Sequence, residues 1–221
     1  MTKRTTGASE NVIAGGEDVP AFLPYALPPR DRAFAISEKI NGRLRAAEQA
    51  LVRLDLATDM VPSLDWLLYG FVRKEAVISS QIEGTQATLL DLLSFEAGDL
   101  KLPDADVEEV CNYLDALNHV QKELSNPPGI PISMRLLNDA HQRLMSGVRG
   151  ATKQPGEIRR SQNWIGGSRP GNAVFVPPSP TRVPELLSAL EKYIHADDDL
   201  PPLIRAGLVH VQFETIHPYL D

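Results

Sequence analysis

Apolar side chains recur at steps of three and four along most of this chain, and the places where that rhythm stops divide it. From about Asp31, the positions Ala33, Ile36, Ile40, Leu44, Ala47, Leu51 and Leu54 mark one face of a helix. A second helix is predicted after Pro62, through Trp66, Leu67, Phe71, Val77 and Ile78 to Glu83, with Gly84 as its stop signal. Thr85 is placed to cap the next, Thr88 to Phe95. Asp104 to Leu124 repeats the pattern with Val107, Val110, Leu114 and Leu117 inward, and Asn126-Pro127-Pro128-Gly129 breaks it. Ser133 to Met145 gives one more helix. Between Gly150 and Pro180 glycine and proline become dense, with short apolar runs at Trp164-Ile165 and Ala173 to Val176, the signature of loop and β-hairpin. Helix resumes at Val183 to His195 and again from about Pro201 to Thr215, where two prolines fit a first turn. This last helix is apolar nearly all round (Leu203, Ile204, Leu208, Val209, Val211, Phe213), which predicts a buried, central position. Ahead of everything, residues 1–18 read as a flexible arm and prolines at 20, 24, 28 and 29 predict that residues 19–30 lie extended over the surface, together an N-terminal arm over 1–30. The fold class expected is mainly α with one hairpin.

Composition narrows this picture without changing it. The 221 residues suffice for one large domain, or one domain with a helical lobe. A 43% hydrophobic and 23% charged chain is of ordinary globular type. No apolar run is long enough for a membrane span, and Lys3 and Arg4 have no apolar stretch behind them, so neither anchor nor secretory signal is expected. The lone Cys111 excludes an internal disulfide and suits a reducing cytoplasm, the compartment expected. A net charge of −7 argues against broad nucleic-acid affinity from this segment.

The candidate chemistry lies at the end of the last helix, in Phe213-Glu214-Thr215-Ile216-His217-Pro218-Tyr219-Leu220-Asp221. Pro218 disfavours α geometry at His217, which puts the imidazole on a turn. Imidazole is the usual base near neutral pH, and Asp221, four residues on, offers a hard oxygen ligand suited to Mg²⁺. An isolated His-Pro is ordinarily only a helix-ending turn. His210, two helical turns before His217, could join His217 and Asp221 in a two-histidine, one-carboxylate iron site, but is more commonly a hydrogen-bonded core residue. Gln212 is a candidate for reaching a bound nucleotide.

The run from Phe213 to Asp221 resembles the opening half of the Fic/Doc family motif HPFxDGNGRxxR, with Tyr219 in place of phenylalanine. A second segment, Ser79-Ser80-Gln81-Ile82-Glu83-Gly84, resembles the inhibitory [ST]xxxE[GN] motif N-terminal to many Fic domains. Ser79 and Glu83, at i and i+4, share a helix face, and a carboxylate in a last turn is disfavoured by the helix dipole. Without the resemblance, Glu83 reads as a solvated residue before a helix-ending glycine. A third stretch, Pro155 to Arg159 and Ser161 to Gly167 leading into Ala173-Val174-Phe175-Val176-Pro177-Pro178, resembles the family's flap and the segment before it. A flap with an open edge can pair with an extended peptide through its backbone; a plain structural hairpin packed by Trp164 and Phe175 is the other reading.

The resemblance implies a Fic-type helical core with one β-hairpin flap and an N-terminal helical lobe: an arm over residues 1–30, a helical region over 31–100 carrying the inhibitory motif, and the core over 101–221. It implies a protein adenylyltransferase moving AMP from Mg-ATP to a Ser, Thr or Tyr hydroxyl, with His217 as base, Asp221 on the metal, and Ser79, Glu83 and Gly84 restraining the ATP γ-phosphate through a second arginine of the motif. Partners would be ATP and a target protein, itself among the candidates. A homo-oligomer is compatible with this, and no membrane partner is implied. Removal of AMP, transfer of another phosphate-containing group, and a regulatory module without turnover stay open as alternatives. Because the Gly-Asn-Gly-Arg run that cradles phosphates is absent, these 221 residues alone are expected to transfer AMP poorly or not at all.

Overall fold

The computed structural model of the chain describes residues 6–28, 36–99, 103–126, 129–148 and 151–220. Among them are seven α-helices and one two-stranded antiparallel hairpin, the mainly helical class that the periodicity predicts. The chain divides into two compact units. One comprises Met1–Leu44, Ile132–Met134 and Glu157–Leu220; the other comprises Arg45–Pro131 and Arg135–Gly156. This partition differs from the expected 1–30, 31–100 and 101–221, because the N-terminal segment belongs with the C-terminal helices.

In the first unit the expected flexible arm is instead the hairpin. Strand β1, Gly7–Ala14, pairs with β2, Glu17–Pro24, in a register that sets Ala14 opposite Glu17. The connection is Gly15-Gly16, with φ of 54° and 83°, positive at both positions as a two-residue hairpin turn demands. The prolines do not break it for a reason of parity. The Phe22 N–H points away from β1, to the Val176 carbonyl at 2.9 Å. Pro20 and Pro24 share that parity, so the N–H each lacks belongs to the outer edge, not to the β1 ladder. Val19 and Ala21 face inward and bury with Ala14 and Val176. The hairpin expected around 173–176 is reduced to a single bridge, Ile165 to Phe175.

Two helices complete this unit. Val183–His195 forms its first helix, with Pro184 in the opening turn and Val183, Leu187, Leu190 and Tyr193 buried at steps of four, three and three. Pro202–Ile216 forms the second. Ile216, wholly buried, packs with Val183, Leu187 and Leu190, and Val209 and Phe213 lie against the same cluster. Fully burying one such aliphatic chain is worth about 1.5–3 kcal/mol. The prediction that the Pro202–Ile216 helix is buried all round is corrected: Ile216 is its one buried residue and Val211 is 62% exposed. An all-round apolar sequence calls for packing partners on every face, and the described neighbours within the unit cover only one.

In the second unit, the helices Leu64–Ile82, Leu89–Glu96 and Ala105–Ser125 enclose a core of Ala76, Val77, Ala87, Leu92, Val107, Val110 and Leu114. Each start is capped by a side-chain oxygen, from Ser63, Thr88 and Asp104 respectively. Thr88, not Thr85, caps the middle helix, in a reciprocal capping box with Asp91; Thr85 lies too far upstream and is buried instead. Met134–Leu144 gives the remaining short helix, with Leu136 buried. Among the described residues, the long Glu38–Thr58 helix buries none of the stripe predicted for it, Ala33 lying outside them, and Trp66 of the next helix is 81% exposed. Amphipathic spacing specifies a face but not the presence of its partner.

Candidate active site

His217 closes the Pro202–Ile216 helix in the left-handed conformation, φ 48° and ψ 68°. A non-glycine residue there is uncommon, though histidine tolerates it better than most. Pro218 disfavours the right-handed α region at His217, which ends the helix, but does not by itself select the left-handed one. The His217 N–H donates to the Phe213 carbonyl at 2.9 Å, a final helical bond, while the chain turns away. The ring of Phe213 meets that of Tyr219 at 6.2 Å. Burial pushes the Tyr219 phenol up to about 12. Asp221, the expected metal ligand, lies outside the described residues.

The loop is anchored by a residue to which the sequence assigns no role. Arg159 is 2% exposed, and its Nε donates to the His217 carbonyl at 2.7 Å. Its Nη2 reaches the Pro178 carbonyl at 2.6 Å and the Ile216 carbonyl at 3.3 Å, and its Nη1 the Ser161 carbonyl at 3.3 Å. Its own N–H donates to the Pro218 carbonyl at 2.8 Å. Burial draws its pKa down to about 10, so the guanidinium remains charged near neutrality. No local signal finds it, because its side-chain partners lie up to 58 positions away in sequence.

Gln212 is engaged within its own unit. Its Nε2 donates to the Tyr25 carbonyl at 3.1 Å and ties the tail of β2 to the helix. The flap segment is also differently placed from expectation. Val174 and Phe175 donate to the Ile165 carbonyl at 3.0 and 3.1 Å, and the Ile165 N–H returns to Phe175 at 2.8 Å. On the other side the Val176 carbonyl takes the Phe22 N–H, and the rings of Phe22 and Phe175 lie 6.2 Å apart. Glu17 pairs with Arg169, and Glu10 with Arg182 and the Ser179 hydroxyl. The N-terminal hairpin therefore meets the flap segment at Val176 and Phe175. Val174, 77% exposed, is the flap side chain left facing outward.

In the second unit, Ser79, Glu83 and Gly84 end the Leu64–Ile82 helix in a glycine cap. The Gly84 N–H donates to Gln81 at 3.1 Å, the Thr85 N–H to Ser80 at 3.2 Å, and Gly84 has φ 102°. The turn that follows is pinned by Gln81 Nε2 to the Ala87 carbonyl at 2.9 Å and by the Gln86 N–H to Asp106 at 2.6 Å. Glu83 is the capping residue, with an exposed side chain on this rigid mount. Ser79 does not brace it: its hydroxyl donates to Glu75 at 3.2 Å, one turn earlier. No cluster of three or more His, Cys, Asp and Glu that could hold a metal exists among the described residues, and Asp221, the third ligand considered with His210 and His217, lies outside them. No helix among them is long and apolar enough to cross a membrane.

Known proteins place this arrangement. Residues 42–122 match the profile of the Fic/DOC family N-terminal region, and residues 131–221 that of the Fic/DOC family itself. The protein adenylyltransferase Fic of Drosophila grimshawi is 25% identical over 207 residues, covering 88% of this chain and 41% of its own length. That of Drosophila virilis is 25% identical over 204 residues, covering 84% and 40%. The chain thus spans about two fifths of the relatives it matches. A Fic family protein from Desulfovibrio desulfuricans superposes with a TM-score of 0.66 at 20% identity, over 87% of this chain and 55% of that one. A Fic domain containing signaling protein from Bacteroides thetaiotaomicron gives 0.58 at 20% identity, over 68% and 57%. With two adjoining family profiles matched and the same fold in these neighbours, the chain belongs to the Fic/DOC family.

Proposed function

We propose that this protein is an adenylyltransferase that moves AMP from Mg-ATP onto a Ser, Thr or Tyr hydroxyl of a protein, restrained by Glu83. The observation that carries the reading is His217. It is a histidine in left-handed geometry at the end of a helix, with main-chain groups held on both sides, inside the segment that matches the family. The names of the Drosophila relatives support the same chemistry.

The step balances simply. His217 accepts the proton of the target hydroxyl, whose oxygen forms a bond to the α-phosphorus. The bond from that phosphorus to the bridging oxygen breaks, and pyrophosphate leaves. Asp221 supplies one hard carboxylate oxygen, a donor that fits Mg²⁺, which keeps several waters and takes phosphate oxygens as further ligands. The ion's contribution when bound is to neutralise charge on the phosphates. Glu83, exposed on its pinned turn, restrains the reaction by competing for a cation that the γ-phosphate needs. Val174 is the flap contact offered to a target.

The test is incubation of the full-length protein with Mg²⁺ and ATP labelled at either the α- or the γ-phosphate, alone and with cell extract. The expected result is protein-bound label from the α-position only, abolished by His217 substitution. Label from the γ-position would assign phosphoryl transfer instead. Loss of AMP from a pre-labelled protein, with no incorporation, would assign the reverse reaction.

A further inference from the structure

Arg159 heads the fully buried side chains ranked by size, yet all its described hydrogen bonds end on main-chain carbonyls. Burying a guanidinium without a carboxylate costs several kcal/mol unless its donors are satisfied, so a chain keeps one only where it organises something. What it organises here is local. One residue grips the carbonyls of Ile216, His217 and Pro218 in succession, the first two through the guanidinium and the third through its own N–H. The peptide planes on both sides of His217 are thereby held, and with them φ and ψ of that residue. A left-handed non-glycine residue costs roughly 1–2 kcal/mol and persists only where its surroundings over-determine it. A cation at this helix C-terminus also meets the negative end of the helix dipole. The same guanidinium reaches Pro178 and Ser161, so the loop is tied to both ends of the flap region.

We propose that Arg159 is a positioning residue for His217, a planar clamp that fixes the left-handed turn and so the direction in which the imidazole leaves the backbone. It touches neither nucleotide nor target. The catalytic consequence rests on the adenylyl-transfer reading above; the geometric claim does not.

The experiment compares Arg159→Lys and Arg159→Gln with the parent in the full-length protein. Lysine keeps the charge and loses the planar fork, so it does not rescue the clamp. Amide hydrogen exchange is read at His217 and, as an internal reference, at Leu187 and Leu190. Expected is a loss of His217 protection at least about tenfold greater than that at the reference amides. With it goes a fall in kcat of about 10²-fold, the scale of an ångström's misplacement, with KM for ATP moving less than about threefold. His217 protection that falls only in step with the reference amides, or a kcat that follows the folded fraction, overturns the proposal. Should glutamine prevent folding, the lysine variant carries the test alongside His217→Gly, which needs no clamp to enter left-handed geometry. Arg159→Lys should then destabilise the His217→Gly background less than the parent, and equal destabilisation overturns the clamp. If the parent transfers no AMP, the functional reading falls, and the exchange ratio still decides the role of Arg159.

Discussion

His217 is the base of the proposed transfer, and its backbone conformation decides how that role should be probed. Alanine at 217 removes the base but also places a residue with little tolerance for positive φ in a left-handed turn, φ 48°. Asparagine accepts that geometry and cannot act as the base. Both His217→Ala and His217→Asn should lose about 10²–10⁴-fold in transfer while ATP binding by calorimetry is retained, and the asparagine variant should keep parental thermal stability. Near-parental turnover in either would assign the base elsewhere. Asp221→Ala should differ in kind, weakening binding of Mg-ATP itself. Glu83→Gly should raise self-labelling of the full-length protein, because an exposed carboxylate at a pinned helix end is removed without touching a core residue. Unchanged labelling would leave Glu83 as an ordinary cap. Ser79→Ala should have little effect, since its hydroxyl serves Glu75.

At the scale of elements, the N-terminal hairpin ties three parts of its unit together: the flap segment through Phe22 and Val176, the approach to it through Glu17 and Arg169, and the Pro202–Ile216 helix through Tyr25 and Gln212. Its turn rests on Gly15 and Gly16. At Gly16, φ 83°, a Cβ would meet nothing within 4 Å, so Gly16→Ala isolates backbone strain from crowding. Urea unfolding of Gly16→Ala should show a loss of about 1–2 kcal/mol. No loss would mean that the hairpin contributes little to the unit's stability.

At the scale of the whole molecule, the acid limb of stability has an identifiable contributor. Glu96 receives a two-pronged bond from Arg73 at 2.6 and 2.7 Å, and the Tyr69 hydroxyl at 2.6 Å. The Arg73 bond chiefly holds its carboxyl below the usual range. A carboxylate depressed in the folded state adds stability that is complete above its unfolded pKa, about 4.3, and is lost as pH falls through the folded value. Glu96→Gln should therefore lower Tm at pH 7 and flatten its decline below about pH 4; parallel Tm curves would remove Glu96 from the account. Much of this molecule follows from its sequence. Helix positions and the stop at Gly84 rest on local propensities, which a short stretch of chain carries by itself. The family is legible for the same reason, since its motifs are contiguous. Tertiary structure decided the rest. Pro20 and Pro24 sit within a strand because only the outer edge lacks their N–H groups, a matter of pairing parity. The Val176 carbonyl is paired because Phe22, more than 140 residues earlier in the chain, folds onto it. Arg159 clamps His217 across 58 positions. Each depends on which distant backbone groups meet, and hydrogen-bond partners far apart in sequence leave no periodicity to read.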